Sequence, residues 1–228
     1  MNILGISAGF HDAAISLINS DGDTKMILTV GDSFTYGEEL PNPLRAWPYL
    51  LNQPVKNMGK CGGSNDMICR VTVEETARNK FDMVIVGWSD PGRLEVWYDR
   101  QILDVNHHGR RGIPWVEDYY KYSYNKKFSY RKWFTQILSL QGYLKSIDQR
   151  YLFCNVAGAT GTYDEYQNIY KYLWDKIDAK YYVGWPNFGM LDWQGDCPKA
   201  PGGHPLELGH ERIAEKINEH IRNLGWLP

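Results

Sequence analysis

Two residues far apart in the chain, Ser33 and His204, have the types and settings that acyl transfer requires. That chemistry needs a hydroxyl at an exposed turn, a base within reach, an orienter for the base, and donors for the developing oxyanion. Ser33 lies in "MILTVGDSFTYGEEL", directly after the apolar run 26–30, with Gly31 before it and Gly37 after it to permit a tight turn. His204 lies in "PGGHPLELGHERIAEKI", in a loop that enters the last helix. The plain alternative is a turn or capping serine, and a loop histidine packed beside Pro205. His210 is expected to be structural. Gly62 is expected either to supply a backbone donor or simply to satisfy a turn of positive φ.

These residues need elements to position them. Apolar runs at 26–30, 53–57, 83–86, 151–156 and 181–184 are each bounded by turn residues. They run on without alternation, as strands buried on both faces of a parallel sheet do. Helical patterns lie between them: 44–51; a segment capped by Ser64 and carrying Met67, Ile68, Val71 and Ala77; and 128–147 with Phe134, Ile137 and Leu144. A capping box at Thr162–Glu165 precedes Tyr166, Ile169, Leu173 and Ile177, and a final helix after Pro205 carries Ile213, Ala214, Ile217 and Ile221. Such alternation implies an α/β fold with helices on both faces of the sheet. In a 2-1-3-4-5 strand order the first and third strands, ending at Ser33 and Ser89, are neighbours at the crevice where ligands bind. Residues 93–130 break the pattern and read as an insertion, a lid or cleft wall. Its Tyr and Trp side chains are of a type that stacks on sugar rings, with packing of the insertion itself the expected role.

Three stretches resemble the GDSL/SGNH hydrolases. "VGDSFTYGEEL" is similar to that family's first block, "NMGKCGGSND" to its second, and "GHPLELGHERIAE" to its last, in the family's order over about residues 25–225. The resemblance implies a flavodoxin-like three-layer α/β/α sandwich with a five-stranded parallel sheet. It implies Ser33 as nucleophile, Gly62 as a backbone oxyanion donor and His204 as the base. It implies no cofactor. Two positions depart from the family pattern. Ser89, in "VIVGWSDPGR", stands where the family has an oxyanion asparagine; Ser89 or Asn65 is the expected substitute. Pro201 stands where the family has the acid; Asp196, with Asp192 behind it, is expected to orient His204, unless a backbone carbonyl or a bare Ser-His pair serves. The activity implied is a serine esterase acting on small acyl esters, O-acetyl groups on a carbohydrate among them. A glycan-binding or assembly protein of the same fold, and an acyltransferase, are the alternatives.

Bulk properties narrow the classes. The chain has 228 residues, a formal charge of −2 and aromatic content of 14 %, so it carries no basic footprint for nucleic acid. Cys61, Cys69, Cys154 and Cys197 form no CxxC, and reduced thiols in a cytoplasmic protein are expected. Asp104, His107 and His108 are expected to form a solvated loop rather than a metal site, because adjacent histidines seldom converge on one ion. No apolar run approaches the ~20 residues of a membrane span. The start, "MNILGISAGFHDAAISLINSDGD", lacks a signal-peptide pattern. It resembles the N-terminal hairpin of nodulation-type O-carbamoyltransferases, with His11 and Asp12 at the matching turn, and residues 1–24 are expected to form an extra hairpin ahead of a domain at 25–228.

Overall fold

The computed structural model describes residues 26–106, 113–156 and 168–226. The expected hairpin at 1–24, with its resemblance to the carbamoyltransferases, lies outside them, as do the capping box at 162–165, His107 and His108.

A five-stranded parallel sheet forms the centre, built from β1 (Ile27–Gly31), β2 (Val55–Gly59), β3 (Met83–Trp88), β6 (Tyr151–Asn155) and β7 (Tyr182–Val183). Its order is β2-β1-β3-β6-β7, the 2-1-3-4-5 order of a flavodoxin-like α/β/α sandwich. The uninterrupted apolar runs divide between two cores by the two-residue period of a strand. Leu28, Val30, Val84, Val86, Tyr151 and Phe153 face one layer, made by α2 (Asn65–Arg78) and α4 (Lys126–Ser146). Ile27, Met83, Ile85, Leu152 and Cys154 face the other, which holds Trp47 and the Ile213–Ile217–Ile221 stripe of α7 (Glu207–Asn223). Short helices α1 (Ser33–Tyr36), α5 (Lys171–Trp174) and α6 (Met190–Gln194) lie in the connections.

The fifth strand is Tyr182–Val183 rather than 181–184, with Tyr181 ending a 3₁₀ turn, and the helix expected to carry Ile169, Leu173 and Ile177 is broken at Tyr170 and ends at Trp174. Two further expected elements differ. The second strand begins at Val55, not residue 53, because Pro54 has no N–H for a ladder and only its carbonyl pairs, with the Ile27 N–H at 2.9 Å. Residues 44–51 form two short 3₁₀ turns, Pro43–Arg45 and Trp47–Leu50, instead of one helix. Pro48 removes a donor and clashes with the preceding turn, which stops an α-helix there.

Residues 94–106 and 113–123 form a small unit after β3. β4 (Leu94–Tyr98) and β5 (Gln101–Val105) pair as an antiparallel hairpin, and α3 (Pro114–Asp118) runs into a π-helical turn, Tyr119–Ser123. Leu103, Val105 and Val116 make its core, with Leu94, Val96 and Trp115 packed around them. The opposite face of the hairpin is tied to the sheet domain. Glu95 accepts from Arg70 of α2 at 2.9 and 2.7 Å, and Asp104 accepts from the Ser64 N–H at 3.0 Å.

Candidate active site

The serine turn is shaped by its neighbours. Asp32 caps α1, accepting from the Phe34 N–H at 3.1 Å, and Gly37 closes it in the left-handed region at φ 86°. Ser33 is therefore the first residue of a one-turn helix at the carboxyl end of β1. Gly31 is required because a Cβ there would lie 2.1 Å from Thr35 Oγ1.

The second block packs directly under this turn. A Cβ on Gly59 would lie 2.4 Å from the Tyr36 backbone nitrogen, so only glycine allows the approach. Asn57 donates from Nδ2 to the Thr35 carbonyl at 2.8 Å and accepts from the Gly59 N–H at 2.9 Å. The Lys60 N–H donates to the Gly31 carbonyl at 3.0 Å. Beyond it Gly62 turns at φ 72°, with open space where a side chain would stand. Among the described residues neither the Ser33 N–H nor the Gly62 N–H donates a hydrogen bond. Two unspent donors on adjoining turns suit a developing oxyanion.

Ser89 and Asn65 have other partners. The Ser89 hydroxyl donates to Asp32 Oδ2 at 2.7 Å. Asn65 grips the Ser89 backbone from both ends, accepting from its N–H at 2.9 Å and donating to its carbonyl at 3.0 Å. Neither side chain is placed as the free oxyanion donor expected from the sequence. Both tie the carboxyl end of β3 to the serine turn and to α2 instead.

His204 stands beside the serine turn. Its ring lies against Phe34, the residue after Ser33, with centroids 5.6 Å apart. The loop around it is held by the Ala200 N–H on the His204 carbonyl at 2.9 Å and the Gly203 N–H on the Ala200 carbonyl at 2.8 Å. Nδ1 is 2.7 Å from Glu39 Oε2, and Nε2 is 3.4 Å from Glu38 Oε2. No hydrogen bond joins His204 to Ser33. Glu39 is fixed in turn by the Gly202 N–H on Oε1 at 2.9 Å, and its own backbone is left-handed at φ 65°. A non-glycine residue held there carries strain that its surroundings must sustain. The His204 hydrogen bond holds the Glu39 carboxyl below its ordinary value. Glu39, a carboxylate, accepts from Nδ1–H, which leaves Nε2 as the ring nitrogen for proton transfer.

The expected acid is elsewhere. Asp196 has 95 % of its side chain exposed and pairs with Arg212 at 3.2 Å, while Asp192 accepts from the Gly189 N–H at 2.7 Å. Both serve the α6 region, and Glu39 faces the imidazole instead. Asp104, expected in a solvated loop, is buried and accepts from Lys60 Nζ at 2.6 Å. Arg93, which stands in no recognisable sequence motif, donates to Asp32 Oδ2 at 3.2 Å and to the Gly63 carbonyl at 3.1 Å. Burial pushes the Asp32 carboxyl up, and Arg93, Ser89 and the Phe34 N–H pull it back. Among the described residues no group of three or more His, Cys, Asp or Glu could hold a metal ion, and no helix is long and apolar enough to cross a membrane.

Residues 42–228 match the model of a family of unknown function, DUF6071; the serine turn precedes the matched span. No curated protein matches the chain. Among solved structures it is similar to TesA, at 14 % identity and a TM-score of 0.56, covering 88 % of this chain and 99 % of that one. The psychrotrophic esterase EstA from Pseudoalteromonas sp., inhibited by monoethylphosphonate, gives 13 % and 0.55, covering 88 % and 98 %. A two-domain esterase active on acetylated mannans gives 13 % and 0.52, covering 90 % of this chain and 50 % of that one. At these identities the likeness establishes a shared α/β fold.

Proposed function

The chain belongs to DUF6071, a family of unknown function, and we propose that it is a serine esterase of the GDSL/SGNH type with Ser33 as nucleophile. One observation carries this reading: His204, with Glu39 on Nδ1, packs against Phe34 of the serine turn, while among the described residues the Ser33 and Gly62 N–H groups donate no hydrogen bond. Ser33 Oγ attacks the ester carbonyl carbon and gives its proton to His204 Nε2, which leaves Glu38 for this step. The oxyanion takes hydrogen bonds from the Ser33 and Gly62 N–H groups. Collapse breaks the ester C–O bond, and the proton on Nε2 goes to the leaving alcohol. Water then repeats the sequence on the acyl-enzyme and releases the acid. Glu39 stabilises the imidazolium in both halves.

Small acyl esters on a carbohydrate are the proposed substrates. The fold is shared with an esterase active on acetylated mannans, and the hairpin leaves Trp97 71 % exposed, an aromatic face of the kind that stacks on sugar rings. An acyl-enzyme resolved by a sugar hydroxyl would make the same site an acyltransferase. The test is hydrolysis of an aryl acetate by wild type and by Ser33→Ala. Turnover lost in the variant supports the assignment, and equal rates sink it.

A further inference from the structure

Arg93 lies where the three loops of the site meet. One nitrogen, Nη1, donates to Asp32 of the serine turn and to the Gly63 carbonyl, next to Gly62. Ser89, directly after β3, donates to the same Asp32 oxygen. Asp32 is 2 % exposed, and Arg93 retains 21 %. A buried carboxylate left without a cation is costly, and a pair this enclosed fixes geometry more than it adds stability. The asparagine whose amide would reach the oxyanion is absent, so stabilisation falls on two backbone N–H groups. Their usefulness depends on both pointing at one spot, and small misplacements are expensive in rate.

We infer that Arg93 is a positioning residue, a clamp that sets the Ser33 turn against the Gly62–Gly63 turn and so aligns their two N–H groups on one oxyanion. Both acceptors, on different loops, are met by the two N–H bonds of Nη1, whose directions the planar guanidinium fixes; a lysine ammonium keeps the charge and its own N–H donors without those fixed directions. It stands just ahead of the hairpin, which anchors the same loop from the other side through Asp104 on Lys60 and Ser64. The neighbourhood of the serine is thus braced from the inserted segment.

The inference rests on the esterase reading for its kinetic consequence and not for its structural one. The experiment therefore has two arms, on full-length wild type, Arg93→Met and Arg93→Lys. In the first, aryl acetate turnover is expected to fall in kcat by about tenfold to a hundredfold in Arg93→Met with KM within about twofold, the mark of a lost transition-state contact. Arg93→Lys recovers part of it. In the second arm, hydrogen exchange is read over residues 31–37 and 59–64, and both are expected to exchange faster in Arg93→Met. Unchanged exchange in both segments overturns the clamp, whether or not the wild type turns over ester. Absent wild-type turnover with faster exchange in the variant retires the esterase reading and keeps the clamp. If Arg93→Met does not fold, Arg93→Gln, which keeps a polar side chain but removes the charge, decides: exchange and kcat equal to wild type would overturn the clamp.

Discussion

Glu39 Oε2 lies 2.7 Å from His204 Nδ1, across a sequence separation of 165 residues. The acid that orients the proposed base is therefore on the turn that also carries the nucleophile. The histidine loop meets this turn at two places, Phe34 and Glu39. Glu39→Gln keeps the size of the side chain but removes its charge, and kcat is expected to fall on the order of 10². Asp196→Asn is expected to match wild type, since Asp196 faces solvent and Arg212. A reversed pattern in steady-state rates would return the role to Asp196.

The hairpin's grip on the second loop is open to a stability measurement. Asp104→Ala leaves the Ser64 N–H and Lys60 without their acceptor, at a cost of about 1–3 kcal/mol. For a chain of this size that is a melting shift of roughly 3–10 °C. Asp104→Asn, which retains an acceptor for Ser64, is expected to lose less. Thermal melts of the two variants check the order.

The glycines of the serine site separate into two kinds. Gly59→Ala drives a methyl into the Tyr36 and Thr35 backbone, at 2.4 and 2.6 Å, and is expected to abolish soluble folded protein. Gly62→Ala meets open space and carries only the strain of its left-handed backbone, about 1–2 kcal/mol. Expression and circular dichroism of the pair check this contrast.

Much of the fold was legible in the sequence because burial on both faces of a parallel sheet leaves apolar runs, and the ends of 26–30 and 83–86 located the serine crevice. The edge strand was less legible: Asn57, Met58 and Gly59 are half-buried and carry little apolar signal. Ser33, Gly62 and His204 stood in local motifs. Glu39, Arg93 and Asp104 did not. Each works through a contact made by the tertiary fold, and a charged residue in a polar loop reads as surface until that contact is known. The expectation of Asp196 came from sequence proximity to His204, which the turn between Pro198 and Leu206 makes irrelevant by directing the imidazole to the other side.

His210 gives the fold a pH dependence of its own. It is fully buried, its Nδ1 accepts from the Trp47 N–H at 3.2 Å, and burial holds its imidazole down to about 4. The unfolded chain takes up a proton near pH 6.5 while the folded one stays neutral to about 4. Between those values the unfolded state binds more protons, so stability falls as pH falls, by up to about 3 kcal/mol. His210→Gln is expected to flatten this part of the profile, as measured by denaturant melts from pH 7 to pH 4. A slope identical to wild type would contradict the assignment.

Ser33 is proposed as an activated nucleophile. Intact-protein mass spectrometry after treatment with a fluorophosphonate tests it most directly, with peptide mapping of the adduct. One phosphonyl group on Ser33 is expected, absent in Ser33→Ala and slowed in His204→Ala. A wild-type protein that stays unlabelled, or that labels elsewhere, contradicts the account.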